Sequence, residues 1–224
     1  MNNSLDALMQ NSPCQTCGQE LRLDRPGYIF TGGTCVGKST VLNELKERGY
    51  TVIEEAAKAI IRENELQPGC NRGSLQEQIV ARQLEWETKF YSCACNRHET
   101  GPVFADRCLI DSMTYAMHFQ EPVSQELKAA LPALAKLRYT KSFLFENLGF
   151  FETDGRVESA EQGLAFSLLM APKLKDSYQR YQIPVVLVKA MTVEERVQFI
   201  LEECGLAVSG KTKHWEYIKN LAHY

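Results

Sequence analysis

Residues 32–39 read Gly32-Gly33-Thr34-Cys35-Val36-Gly37-Lys38-Ser39, with Thr40 next. Glycines, a lysine and a hydroxyl at this spacing are the residue types a main chain needs to wrap a polyphosphate. Gly32, Gly33 and Gly37 let the backbone approach an anion and turn its N–H groups inward, and Thr34, Cys35, Val36 and Thr40 complete the cradle. Lys38 supplies a point charge to β- and γ-phosphates, and the Ser39 hydroxyl can ligate Mg²⁺. The pattern fits G-x-x-x-x-G-K-[ST], the phosphate-binding loop of nucleotide hydrolases and kinases, and predicts ATP or GTP with Mg²⁺ as ligands. A chance match in a glycine-rich turn is the alternative.

Further chemistry sits at the ends of apolar runs. Asp106-Arg107 closes Pro102-Val103-Phe104-Ala105. A buried strand ending in Asp puts a carboxylate near Mg²⁺ or its water shell, close to Ser39. The planar fork of Arg107 suits phosphate oxygens, although an ordinary Asp-Arg ion pair would explain both residues. Glu54-Glu55 follows Tyr50-Thr51-Val52-Ile53. Carboxylates there face the ligand side of an open α/β sheet, or simply favour the positive end of the next helix. Asp111 is a further acidic residue on that side, or an N-cap. Arg156, within the turn-rich Phe150–Val157 stretch, could close over a transferred phosphoryl group as an internal arginine finger, or be a solvated turn residue.

These residues need a parallel sheet to bring them together. The spacing predicts strands at Tyr28–Phe30, Tyr50–Ile53, Pro102–Ala105, Ser142–Phe145 and Val185–Val188. Between them lie helical patterns. Val41, Leu42 and Leu45 share one face of a helix that Gly49 stops. Ser74-Leu75-Gln76-Glu77 is a capping box opening a helix to Tyr91, with Leu75, Ile79, Val80, Leu84, Trp86 and Phe90 as its buried stripe. Pro132 predicts a kink or two short helices within 124–137, and Pro172 an interruption within 160–181. Thr192-Val193-Glu194-Glu195 caps a last helix that Gly205 ends.

The chain has 224 residues, a net charge of −3 and eight cysteines. That length suits one α/β domain at 27–224, preceded by an N-terminal extension at 1–26 that carries Cys14-Gln15-Thr16-Cys17. The charge, with no basic run, argues against nucleic acid as the main partner. No apolar run is long enough to span a bilayer, and the polar opening residues lack a secretory pattern. Reduced thiols and a cytoplasmic location are expected.

Taken together, Phe30–Gly33 through Ser39-Thr40, Val52–Ala57, Val103–Arg107, Asp111–Ala116, Phe150–Gly155 and Val193–Val197 resemble the AAA-domain "predicted ATPase" family of P-loop proteins. That group is related to nucleoside and nucleotide kinases and includes ribosylnicotinamide-kinase-like and TRPL-translocation-defect-protein-like members. The resemblance covers residues 28–204. It implies a parallel five-stranded sheet in the order 2-3-1-4-5, sandwiched by helices. It also implies Glu54 or Glu55 as substrate-binding group or general base, and Asp106 as base or Mg²⁺-shell carboxylate. Strands one and three are neighbours in such a sheet, so Cys14 and Cys17 would approach Cys93, Cys95 and His98. A structural Zn²⁺ on these cysteines is geometrically allowed; free thiols are the alternative.

Two functions fit. One is an ATP- and Mg²⁺-dependent kinase in which Lys38, Asp106, Arg107, Glu55 and Arg156 act on a nucleoside, nucleotide or similar small acceptor. The other is an ATP- or GTP-binding switch or slow NTPase, which would have a protein partner. Thr140-Lys141-Ser142-Phe143 lacks the Asp of a guanine-reading [NT]-K-x-D motif.

Overall fold

The computed structural model describes residues 25–63, 75–91, 101–148 and 160–206. Strands β1 (Gly27–Gly32), β2 (Thr51–Ile53), β3 (Val103–Asp106), β4 (Tyr139–Phe145) and β5 (Val185–Val188) all pair in parallel. Their order is β2-β3-β1-β4-β5, as the resemblance implies. The helices described are α1 (Lys38–Glu47), α2 (Ala56–Glu63), α3 (Leu75–Tyr91), α4 (Leu109–His118), α5 (Gln125–Arg138), α6 (Ala160–Arg180) and α7 (Val193–Glu203).

Alternation along the strands feeds two cores. Ile29, Ile53, Val103 and Ala105 pack with α4, α5 and α6 on one face. Tyr28, Phe30, Phe104, Phe143 and Phe145 pack with α1 and α7 on the other. With both faces covered, the inner strands read as near-continuous apolar runs rather than alternating ones. All six residues of β1 are buried. This central strand therefore holds the loop that follows it against a rigid base.

Three expectations are corrected. Neither proline divides its helix: α5 runs unbroken through Pro132, which excludes two short helices there, and α6 runs unbroken through Pro172. Both prolines are exposed, as are Lys128 and Leu168 one turn earlier, so each lost helical bond falls on the exposed side of its helix. Buried Met170, Leu174 and Tyr178 anchor α6 across the proline. The helix after β3 begins at Leu109 rather than Asp111, which puts Asp111 at its third position. In α3 the most deeply buried side chains are polar, Gln83 and Glu87, each 1% exposed against 7% for Ile79; Leu75, Val80, Leu84 and Trp86 are only partly buried.

Gly27 pairs with Val103, so the starts of β1 and β3 do lie side by side. Cys14, Cys17, Cys93, Cys95 and His98 lie outside the described residues, as do Ser74 and Arg156. No helix among the described residues is long and apolar enough to cross a membrane.

Candidate functional site

The glycines after β1 answer separate geometric demands. Gly32 has φ +125°, and a Cβ there would lie 3.0 Å from the Phe145 carbonyl oxygen. At Gly33 a Cβ would fall 1.5 Å from Ser167 Oγ, because α6 packs directly on the loop. Gly37 has φ +83° and is the N-cap of α1. Lys38, Ser39 and Thr40 then form the first turn of α1, whose N–H groups have no intrahelical acceptor and favour an anion.

Lys38 is buried and its Nζ donates to the Gly33 carbonyl at 2.6 Å. Burial, helped by the nearby Arg107 cation, lowers its ammonium to about 8 against the pull of Asp106 and Glu55. Ser39 Oγ donates to Asp106 Oδ2 at 2.7 Å, so loop and strand end meet as the sequence predicts. Asp106 is 2% exposed, and its Oδ1 has no hydrogen-bond partner. Burial and then the neighbouring Glu55 raise its carboxyl above the usual range.

Glu55 belongs to the same cluster. Its Oε1 accepts from Arg107 Nε at 3.0 Å, and its Oε2 lies 3.1 Å from Lys58 Nζ. Burial alone would raise this carboxyl, but Arg107, Lys58 and Lys38 together outweigh it and hold it down to about 2. Glu54 is exposed and pairs with Lys46 at 3.0 Å, away from the cluster.

Arg107 is engaged by the protein itself. Its Nη1 donates to the Gly32 carbonyl at 3.1 Å and lies 3.6 Å from Asp111 Oδ1, while the guanidinium sits 4.9 Å from the Tyr115 ring centre. The residue is left-handed, at φ 72°. That conformation is held because its N–H donates to the Phe30 carbonyl and its carbonyl accepts from Gln83 Nε2. Glu87 continues the support. It accepts from Leu109 N, Gln83, Arg138 Nη1 at 3.1 Å and Tyr139 OH at 2.5 Å, all buried.

Asp111 is fully buried and accepts from Thr31 Oγ1 at 2.5 Å, Cys108 N at 3.1 Å and the Tyr178 hydroxyl. The structure therefore makes it a brace between β1, α4 and α6 rather than an N-cap or a residue open to an acceptor. Arg196 braces the other side, donating from Nη1 to the Val36 carbonyl at 2.7 Å and from Nε to the Lys189 carbonyl at 3.0 Å.

Sequence reading missed Lys58, whose Nζ donates to Ser39 Oγ at 2.6 Å and lies 3.8 Å from Asp106 Oδ2. The available signal was its place three residues after Glu55, on the same face of a helix starting at Ala56. It also missed Thr31, Gln83, Glu87, Arg138, Tyr178 and Arg196.

Among the described residues, no group of three or more His, Cys, Asp or Glu side chains could hold a metal ion. Mg²⁺ does not need one, since it takes one or two carboxylates and completes its shell with water and substrate phosphates. Ser39 Oγ and the unpartnered Asp106 Oδ1 fit that donor set. The arrangement as a whole suits phosphate binding beside a metal-capable carboxylate.

A family model described as "AAA domain" matches residues 27–196. No curated protein matches the chain by sequence. Among solved structures, NadR protein in complex with NR superposes with a TM-score of 0.63 at 13% identity, over 84% of this chain and 54% of that one. NadR in complex with NAD and AMP-PNP gives 0.59 at 14% identity, over 84% and 52%. This chain thus spans about half the length of those proteins. Thymidylate kinase from Ehrlichia chaffeensis gives 0.56 at 11% identity, over 80% of this chain and 98% of that one. These likenesses show a kinase-like P-loop fold. With the match across residues 27–196, the chain belongs to the AAA domain family.

Proposed function

We propose that this protein is an ATP- and Mg²⁺-dependent kinase that phosphorylates a small hydroxylated metabolite, a nucleoside, nucleotide or similar compound. The observation that carries the reading is the cluster around Asp106. One carboxylate oxygen accepts from Ser39, while the other is buried without a partner at the mouth of the phosphate-binding loop. A switch would use the same carboxylate on its Mg²⁺; what favours the kinase is the further set of groups gathered beside it, Glu55, Arg107 and Lys58.

The residues divide the work. The loop from Gly32 to Thr40 wraps the polyphosphate, and Lys38 leaves the Gly33 carbonyl to neutralise it. Ser39 and Asp106 would hold Mg²⁺, which supplies Lewis-acid polarisation of the phosphoryl oxygens when bound. The alternative role for Asp106, with Ser39 alone on the metal, is to take the acceptor hydroxyl's proton, for which its raised proton affinity suits it better than Glu55. Glu55 stays ionised and fixes Arg107 beside the transferred group. Arg156 remains part of this proposal as the arginine closing from the segment after β4.

The test is nucleotide turnover with Mg²⁺ against a panel of nucleosides, nucleotides and vitamin-derived ribosides. Stimulation by one acceptor, with phosphate appearing on it, supports the kinase and names its substrate. Tight nucleotide binding with only slow, acceptor-independent hydrolysis would replace it with the switch. Lys38→Ala should abolish nucleotide binding, and retained ATP and GTP affinity in that variant would remove the loop assignment.

A further inference from the structure

Lys58 stands where a divalent cation would be expected. Its ammonium lies 2.6 Å from Ser39 Oγ, 3.1 Å from Glu55 Oε2 and 3.8 Å from Asp106 Oδ2. Ser39 and Asp106 are the donors that fit Mg²⁺. A metal on Ser39 Oγ would sit about 2 Å from that oxygen. An ammonium hydrogen-bonded to the same atom would then crowd and repel it. We infer that Lys58 is a tethered cation which competes with the divalent metal for this oxygen site, so that the metal enters only as Lys58 swings out.

Charge and mobility support the exchange. Lys38, Lys58 and Arg107 face Glu55 and Asp106, with Asp111 behind Arg107. With Lys58 in place the charges balance. Without it one carboxylate is uncompensated, and the pocket favours an added cation. Lys58 is also the cation free to leave: its side chain is 56% exposed, whereas Lys38 and Arg107 are buried. A half-exposed lysine on a flexible stem can exchange its partners, whereas the buried Lys38 and Arg107 cannot. Arriving phosphates would offer the displaced ammonium a new partner beside the metal. In the kinase reading, on which this inference rests, Lys58 thereby ties metal entry to nucleotide entry.

The experiment is Mn²⁺ binding, followed by electron paramagnetic resonance, to wild type, Lys58→Met and Lys58→Arg without nucleotide. Charge competition at this range predicts Mn²⁺ affinity roughly tenfold higher or more in Lys58→Met than in wild type, with Lys58→Arg resembling wild type. Equal affinity in wild type and Lys58→Met, including binding by neither, overturns the inference. Circular dichroism confirms that this exposed substitution leaves the fold unchanged. A parallel ATP titration of wild type separates the two proposals. Absence of nucleotide binding alongside a gain of Mn²⁺ in Lys58→Met removes the kinase and keeps the tethered cation. Normal ATP binding with no gain does the reverse.

Discussion

Replacing Lys38 by Met should end nucleotide binding and make the protein more stable. Lys38 is 5% exposed, and its ammonium is lowered from 10.5 to about 8. At about 1.4 kcal/mol per pKa unit, keeping it charged at pH 7 costs the fold roughly 3 kcal/mol. Methionine keeps a stem of similar length without the charge but loses the bond to the Gly33 carbonyl, worth about 1 kcal/mol. The net gain is about 2 kcal/mol, or roughly 4–8 °C in Tm for a chain of this size. The pH dependence carries the signature. Below pH 8 the folded and unfolded lysines are both protonated, and the penalty is constant. Between 8 and 10.5 the unfolded chain holds a proton that the folded one has lost, so wild-type stability rises with pH. The advantage of Lys38→Met should therefore shrink across that window, vanish within it and reverse by about 1 kcal/mol at its top. Urea denaturation of both proteins at several pH values from 7 upward reads this directly. A variant less stable than wild type at pH 7, or a gap unchanged up to pH 10.5, would refute the reasoning.

Glu55 gives the acid counterpart. Its carboxyl titrates near 4.5 when unfolded and about 2 when folded, so its contribution is present above pH 4.5 and is lost as pH falls toward 2. Urea midpoints measured from pH 5 to pH 3 should fall more steeply for wild type than for Glu55→Gln, by about 2 kcal/mol across that range. Gly33→Ala should destabilise by about 1–3 kcal/mol through overpacking against α6. Ser167→Gly should restore only part of that loss, since the Ser167 Cα would still lie 2.9 Å from the new Cβ. Glu87→Ala should cost about 3–5 kcal/mol in chemical denaturation, because it removes the carboxylate that pairs with buried Arg138 and one of the acceptors of Leu109 N.

What the sequence reveals about this site follows from how far apart the partners lie. Gly32, Gly37, Lys38 and Ser39 act through backbone geometry over eight residues, so the pattern alone identifies them. The five strands are legible for the same reason, as short β-branched or aromatic runs. Asp106 is legible because a charge ending a buried strand has few other places to point. The brace behind it is not. Gln83 and Glu87 fall on the buried face of α3, where a hydrophobic period registers them only as interruptions. Their reason for burial is the left-handed backbone at Arg107 and the side chain of Arg138, far along the chain. The prolines mislead in the opposite direction, since a broken helical bond matters less when it falls on the exposed side of its helix. Lys58 shows the limit most clearly. One helical turn beyond Glu55, it reads as a solvated helix residue, and more than half of its side chain is indeed exposed. Its contacts with Ser39 and Asp106 exist because β3 inserts between β1 and β2, placing the loop after β1 and the end of β3 under one face of α2. Local pattern identifies the groups able to bind phosphate and metal. Strand order decides which cation meets them first.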